Sequence, residues 1–146
     1  MRIVIQRVRS ASVTSEGRPA GAIGPGLLLY IGVAAGDGED DVKRAADKIP
    51  ALRIFPDAEG KMNRSLLDVG GEILAVSQFT LLGDCAHGRR PGFSGAEAPD
   101  RAEALYLSLV DTWKQRGVPV ATGVFRTDMD VSSVNWGPVT FLYETR

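Results

Sequence analysis

Cysteine and histidine are almost absent from this sequence of 146 residues, which contains one of each. A single cysteine excludes an internal disulfide framework and fits a reducing compartment. Cys85 and His87 are also too few for a zinc site, which needs three or four ligands. They lie two residues apart with no third residue to orient the histidine, so a thiolate and its base would seldom meet in attack geometry. Cysteine-based catalysis is therefore the weaker interpretation of this pair.

An excess of charge of one sign is missing too. The formal net charge is −1 and the pI is near 5.8, so the chain has no global attraction to phosphate. A nucleic-acid partner would need a local basic patch or a shape-selective pocket. Arg89 and Arg90, with Arg64, Arg101 and Lys61 elsewhere, form either such a patch or an ordinary solvated surface. The sequence leaves both interpretations open.

Long apolar runs are lacking at the N-terminus. The opening MRIVIQRVRSASV carries a charge every few residues, which predicts neither a signal peptide nor a membrane span. We therefore expect a cytoplasmic protein with no membrane partner. Hydrophobic residues make up 44% of the chain and charged residues 24%, the mixture of an ordinary globular protein. The length fits a single domain over residues 1–146.

Strand patterns predominate over helix patterns along the chain. Apolar and β-branched runs predict strands at Arg2–Val8 (with a continuation at Ser12–Thr14), Leu27–Val33, Glu72–Leu82, Val118–Arg126, Met129–Val134 and Val139–Thr145. Helical spacing predicts one helix that carries Val42 to Ile49 and stops near Pro50, and a longer one from Pro99 to Arg116. Gly83–Gly95 reads as a long irregular loop. The sequence thus predicts a single mixed α/β domain, strand-rich, with two main helices packed on the sheet.

Polar residues interrupt the end of one buried strand at Ser77-Gln-Phe-Thr-Leu81. Buried hydroxyl and amide groups need hydrogen-bond partners, so the ordinary interpretation is a strand end whose side chains bond nearby backbone. The functional interpretation places this strand end at a pocket, with Thr80 as nucleophile or with backbone amides as an oxyanion hole. No base lies near Thr80 in the sequence. The amides are therefore the better candidates if the site hydrolyses an ester.

Gly137-Pro138 interrupts the last apolar stretch of the chain. Proline has no amide hydrogen to give to a strand pair, and glycine adds freedom where a strand needs little. The pair therefore predicts an edge, a turn or the start of a strand.

The two motifs together resemble the paired signatures of the D-aminoacyl-tRNA deacylases. The matching segments are Ser77–Leu81 and Asn135–Thr140, and the similarity runs nearly end to end through Ile5–Val8, Ala11–Thr14, Arg53–Phe55, Asp57–Asn63, Arg90-Pro91 and Asp100–Tyr106. This resemblance implies that family's fold and a homodimer that hydrolyses the ester between a D-amino acid, or glycine, and the 3′ end of tRNA. It implies no metal and no organic cofactor. It further implies that catalysis uses the terminal 2′-hydroxyl of the tRNA, which fits the absence of a base.

The resemblance also assigns residues. It implies that Gly137-Pro138 forms a cis peptide bond inserted into the neighbouring subunit's site, where its carbonyl oxygens hold the substrate amino group and exclude an L side chain. Pocket residues would be Ser77, Gln78, Phe79 and Thr80; Arg7 and Gln6 would brace the Gly-Pro loop; and Phe125, Met129 and Ala102 would form pocket walls or plain core. Trp136, where the family commonly has an acidic residue, and Gly92, where it often has serine, depart from the pattern.

Two alternative functions remain open at the level of sequence. One is a Thr80-dependent esterase or peptidase that acts on small D-amino acid derivatives. The other is a non-catalytic module that binds and shields the charged 3′ end of tRNA.

Overall fold

The computed structural model describes all residues from 1 to 146 as one strand-rich α/β domain. Its strands are β1 Arg2–Ser15, β2 Arg18–Ile23, β3 Gly26–Gly32, β4 Phe55–Pro56, β5 Met62–Arg64, β6 Glu72–Ser77, β7 Val120–Thr122 and β8 Met129–Glu144. The α-helices are α1 Glu39–Lys48, α2 Leu66–Val69 and α3 Pro99–Gln115, and a 3-10 helix spans Phe79–Leu82. None of the α-helices combines the length and apolar composition needed to cross a bilayer.

The long strand β1 organises the main sheet. On one edge its first half pairs with β3 and its second half with β2; on the other edge it pairs with β8 from Arg2↔Glu144 to Ser15↔Met129. Strand β3 continues in parallel to β6 and then to β7, and β7 lies beside β2. The sheet therefore curls until it is nearly closed. The parallel connections pass through α1 and α3, because parallel strands need a crossover of helical length.

Two apolar clusters lie on the two sides of this curled sheet. The larger joins alternate residues of β1, β3 and β6 to both main helices, and Trp113 of α3 lies at its centre with no exposed surface. The indole nitrogen of Trp113 donates to the carbonyl of Ala46 in α1 at 3.3 Å, which fixes the two helices to each other. Replacing a buried tryptophan by alanine costs about 3–5 kcal/mol, so burial of the Trp113 side chain is a major source of stability. The smaller cluster is inside the curl and includes Leu28, Leu74 and Val76.

The predicted fold class is confirmed, and both main helices form where the apolar stripes indicated. Several strand boundaries were wrong. Strand β2 was missed because its RPAGAI sequence resembles a turn; β6 ends at Ser77 and gives way to the 3-10 helix; and β7 is shorter than predicted. The two predicted C-terminal strands are a single strand, β8, which runs through Gly137 and Pro138.

The pairing of β8 with β1 explains how a strand accommodates that dipeptide. Gln6 pairs with Thr140 and Val8 with Asn135, so the four residues 136–139 stand opposite the single residue Arg7. This is a bulge larger than the common two-against-one kind, in which the extra residues leave the hydrogen-bond ladder and bend the strand. The peptide bond between Gly137 and Pro138 is cis. Proline is tolerated here because a residue inside the bulge donates no hydrogen bond to the strand ladder.

Candidate active site

The Ser77–Leu81 motif forms a sharp turn at the end of β6. The amide of Gln78 continues the parallel ladder by donating to the carbonyl of Ile31 at 2.8 Å, and the chain then enters the 3-10 helix. This turn crosses directly over β3 at Gly32, where an added Cβ would lie 3.0 Å from the carbonyl oxygen of Gln78 and 3.2 Å from the Cβ of Leu81. Glycine at position 32 is therefore needed for the turn to lie against the sheet.

The first two amides of this turn, those of Phe79 and Thr80, are available to donate hydrogen bonds to a substrate. In an i→i+3 helix the first amides have no carbonyl partner within the helix. The amide of Leu81 is the first to bond back, to the carbonyl of Gln78 at 3.3 Å. The amide hydrogens of Phe79 and Thr80 are thus not used by the turn's own hydrogen bonds, and neighbouring amides of this kind can stabilise a developing oxyanion.

A cavity of about 510 Å³ opens beside this turn. It is lined by Val76, Ser77, Gln78, Phe79, Arg126, Thr127, Asp128, Met129 and Val131. The structure thus brings Met129, at the start of β8, to the side chains of the Ser77–Phe79 strand end. The Thr80 side chain is exposed and is not part of the lining; its hydroxyl accepts a hydrogen bond from the side-chain amide of Gln78.

Phe125 and Ala102 occupy different surroundings from Met129. Both are partly buried and pack against the larger apolar cluster, and the ring of Phe125 lies 6.2 Å from that of Tyr106. Neither lines the cavity. Tyr106 is itself fixed by its hydroxyl, which donates to the carbonyl of Ala75 at 2.9 Å, and burial raises its pKa. Phe125 therefore anchors the turn that precedes Met129 to the larger apolar cluster.

The Gly83–Gly95 loop is attached to the same turn. Asp84 and Gly92 exchange backbone hydrogen bonds of 2.8 and 2.9 Å at its base, and the ring of Phe93 packs edge-on against Phe79 at 5.1 Å. Cys85 is exposed within the loop. The predicted long loop is thus confirmed, and its base is paired and fixed to the cavity edge.

Arg7, the residue that the resemblance assigns to bracing the Gly-Pro loop, contacts the backbone beside the Gly137-Pro138 bulge. The guanidinium of Arg7 donates to the carbonyl of Trp136 at 3.0 Å and to that of Ile54 at 2.7 Å. Burial of Arg7 and the nearby charge of Arg9 lower the pKa of this guanidinium. Two further hydrogen bonds close the base of the bulge: Asn135 accepts from the amide of Val139 at 3.0 Å and donates to the Thr140 hydroxyl at 3.1 Å.

Gln6 contributes a weaker support from the neighbouring strand. Its side-chain amide donates to the hydroxyl of Thr140 at 3.3 Å. Gly137 and Pro138 are exposed and do not line the cavity that contains Ser77 and Phe79. The two motifs of one chain are thus built independently, each by its own set of contacts.

Trp136 lies beneath a pair of arginines. The Cζ atom of Arg9 is 3.6 Å from the centre of the Trp136 ring and that of Arg7 is 4.6 Å from it, while Phe55 meets the ring edge-on at 6.1 Å. These are favourable cation–π and aromatic geometries.

A second cavity of about 510 Å³ adjoins Trp136 and Arg64. Volume alone therefore does not distinguish the two cavities; the motif at Ser77–Thr80 does.

Sequence reasoning missed Arg126, Thr127 and Asp128, which line the cavity between the selected residues Phe125 and Met129. The one feature of the sequence that could have indicated them is their position between two candidate residues. Their amino-acid types alone predicted no role in the site. No three side chains among His, Cys, Asp and Glu come together as potential metal ligands.

Comparison with known proteins gives a consistent result. A family model described as D-Tyr-tRNA(Tyr) deacylase matches residues 4–144. The chain is 54% identical over 145 residues to a D-aminoacyl-tRNA deacylase of Syntrophotalea carbinolica, covering 99% of this chain and 97% of that protein. It is 53% identical over 146 residues to one from Anaeromyxobacter dehalogenans, covering 100% and 98%.

Two solved structures share the fold. One is described as a c-Myc DNA Unwinding Element Binding Protein, with a TM-score of 0.91 and 37% identity over 99% of this chain and 98% of that one. The other is described as a probable eukaryotic D-amino acid tRNA deacylase, with a TM-score of 0.83 and 21% identity over 97% of each chain.

Proposed function

Since this chain belongs to the D-Tyr-tRNA(Tyr) deacylase family, we propose that it is a hydrolase that cleaves the ester bond of D-aminoacyl-tRNA. The structural observation that carries the proposal is the Phe79–Thr80 turn, which leaves two adjacent amides free of its own hydrogen bonds at the edge of a cavity. Water attacks the ester carbonyl carbon, the bond from that carbon to the ribose 3′ oxygen breaks, and the oxygen takes a proton. The products are a free D-amino acid and tRNA.

The amides of Phe79 and Thr80 supply electrostatic stabilisation in this reaction. Charge develops on the carbonyl oxygen as the water adds, and preorganised N–H groups stabilise that charge at no cost of reorganisation. The Thr80 hydroxyl is engaged with Gln78 and has no histidine or carboxylate partner to take its proton. A role for the 2′-hydroxyl of the terminal ribose as the proton acceptor or water anchor is consistent with this environment.

Selectivity for the D configuration is assigned to Gly137 and Pro138 of a second subunit. The bulge exposes main-chain groups, it is held rigidly by Arg7, and it is absent from the cavity of its own chain. A main-chain filter detects the configuration at the α-carbon and tolerates varied side chains. Glycyl-tRNA would pass because glycine has no side chain for the filter to exclude.

The free edge of β8 supports a homodimer. This 16-residue strand pairs only with β1, and an unpaired edge of that length is a site for association with another chain. Large apolar side chains are exposed along it: Val134 is 56% exposed, Phe141 40% and Leu142 62%. Association along β8 would carry each bulge toward the partner subunit, and a cytoplasmic location follows from the proposed substrate.

One assay tests the proposal against its alternatives. Release of free D-tyrosine is measured from D-tyrosyl-tRNA and from a small D-tyrosine ester, each with and without the protein. Rapid, enzyme-dependent release from the tRNA supports the proposal. Preferential release from the small ester supports the Thr80-dependent esterase instead, and binding of D-tyrosyl-tRNA without release supports the shielding module.

A DNA-binding function, suggested for one structural relative by its description, has less support in this chain. Duplex DNA binding depends mainly on an extended basic surface. The formal net charge is −1, and Arg2, Arg116 and Arg146 are each paired with a carboxylate.

A further inference from the structure

Arg126 has an unusual backbone conformation at the edge of the cavity. Its φ is +60°, a left-handed value that costs a non-glycine residue roughly 1–2 kcal/mol. Such a conformation persists when the surroundings enforce it, and it is concentrated at functional sites. Arg126 is also part of the cavity lining beside Ser77, Gln78 and Phe79.

The turn that presents Arg126 is fixed on both sides. The Thr127 hydroxyl donates to the carbonyl of Val124 at 2.9 Å and accepts from the hydroxyl of Ser15 at 2.6 Å. Phe125, on the other side, packs against Tyr106. The backbone of Arg126 is therefore fixed through its two sequence neighbours, Phe125 and Thr127, each of which is bound to other parts of the fold.

The charge of Arg126 is available to a ligand. Only two charged side chains, Arg126 and Asp128, line the cavity. The guanidinium pairs at 3.3 Å with Asp100, whose side chain is 94% exposed, and Arg126 is itself 57% exposed. Exposed pairs of this kind contribute roughly 0–1 kcal/mol, so a phosphate can replace the carboxylate at little cost. Arginine suits phosphate because its planar fork donates two parallel hydrogen bonds.

We propose that Arg126 is a positioning residue that binds a phosphodiester group near the 3′ end of the substrate's tRNA. This inference rests on the proposed function. The phosphodiester bound at Arg126 orients the terminal ribose so that the ester carbonyl faces the amides of Phe79 and Thr80. Arg89 and Arg90 are exposed in the Gly83–Gly95 loop but do not line the cavity, which is why they are not assigned this contact.

The test compares two substrates that differ in phosphate content. D-tyrosyl-tRNA contains the phosphodiester groups of the 3′ end, whereas D-tyrosyl-adenosine has the same ester and no phosphate. For Arg126→Gln we expect kcat/KM on the tRNA to fall about tenfold more than on the adenosine ester, mainly through KM. The slope of log(kcat/KM) against log[salt] on the tRNA should become shallower by about 0.7, the value for one single-strand phosphate contact.

Three variants exclude a merely structural effect. Arg126→Gly fits the left-handed backbone without strain, so it should fold at least as stably as the parent and still show the substrate difference. Arg126→Lys, which keeps the charge, should restore most of the salt dependence. Arg116→Gln removes an exposed arginine paired with Asp47 at the other end of α3, and it should show no substrate difference.

The outcomes separate the inference from the proposed function. If the parent protein hydrolyses neither substrate, the proposed function fails and the inference fails with it. A second outcome is that the parent is active while Arg126→Gln lowers kcat/KM equally on both substrates, or does not lower it on the tRNA. In that case the proposed function stands and the Arg126 contact is refuted.

Discussion

Arg7 joins two parts of the chain that are far apart in sequence: its guanidinium donates to the carbonyl of Trp136 in the bulge and to that of Ile54 before β4. Both acceptors lie on backbone, so the contact fixes the path of the chain at Gly137-Pro138. A lysine ammonium on its flexible stem lacks the planar fork that reaches two diverging carbonyls.

We therefore expect Arg7→Lys to lower the free energy of unfolding by about 2 kcal/mol, because at least one buried carbonyl loses its donor. Urea denaturation at pH 7 measures this. Arg9→Lys is the matched control. The Arg9 guanidinium lies over the ring of the same Trp136, a cation–π contact that a lysine retains, so the loss in free energy of unfolding should be below about 1 kcal/mol. Equal losses in the two variants would contradict the bracing role.

Replacement of Gly137 by alanine should damage the bulge directly. Its φ is +136°, and an added Cβ would lie 2.7 Å from Cγ2 of Val139, 3.0 Å from the Val139 amide nitrogen and 3.1 Å from Nη2 of Arg7. We expect a loss of about 1–3 kcal/mol in stability and a reduced ratio of D- to L-tyrosyl-tRNA hydrolysis. In the control Gly92→Ala, the new Cβ meets open space. An unchanged D/L ratio in a folded Gly137→Ala protein would remove Gly137 from the filter.

Loss of the Thr80 hydroxyl should have a small effect. The hydroxyl accepts from Gln78 and has no base beside it, whereas the proposed stabilisation comes from backbone amides that Thr80→Ala leaves in place. We expect kcat on D-tyrosyl-tRNA to fall by less than about tenfold, far less than loss of a catalytic nucleophile. Thr80→Val, which keeps the shape, should behave alike. A loss of several orders of magnitude with the fold intact would favour Thr80 as the nucleophile.

A charge on the exposed edge strand should separate the subunits. Leu142 is 62% exposed on β8, and a glutamate there would place a charge in the proposed apolar interface. We expect Leu142→Glu to sediment as a monomer and to lose deacylase activity, because in the proposed homodimer each site is completed by Gly137-Pro138 of the other subunit. Leu107→Glu, at an equally apolar but helical position 45% exposed, is the control and should change neither. A fully active Leu142→Glu monomer would exclude the cross-subunit site.

Acid should weaken the contacts at the start of α1. Burial of Asp41 would by itself raise its pKa, but hydrogen bonds from the Thr145 side chain, the Gly38 amide and Arg44 outweigh it and lower the pKa to about 2. A carboxylate with a lowered pKa stabilises the fold above its unfolded value of 3.8, and that contribution is lost as the pH falls toward 2.

Asp41→Asn should accordingly reduce the free energy of unfolding at pH 7 by about 1 kcal/mol, since partial exposure of Arg44 screens part of the interaction. The difference from the parent should shrink as denaturation is repeated from pH 4 down to pH 2. The exposed Asp47, paired with Arg116, provides the control Asp47→Asn, for which about 0.5 kcal/mol or less is expected. A difference that stays constant down to pH 2 would contradict the assigned pKa.

Local pattern alone determined much of this protein. The sequence predicted the helix whose apolar stripe ends at Trp113, the helix that stops before Pro50 and the buried strand β3. Each of these depends on periodicity among near neighbours. The Ser77–Thr80 motif was readable as a polar interruption of a buried strand. Its 3-10 turn was not, because that turn depends on close approach to Gly32 across the sheet.

Tertiary structure decided what the chain does with Gly137-Pro138. From sequence the dipeptide divides two strands; in the structure a single strand passes through it, because β8 pairs with β1 on both sides and places four residues opposite Arg7. Tertiary structure also brought Arg126 and Asp128 to the cavity while it placed Phe125 against the core. The path of β8 depends on pairing with β1 residues more than a hundred positions away, and no local sequence pattern encodes the register of such a pair.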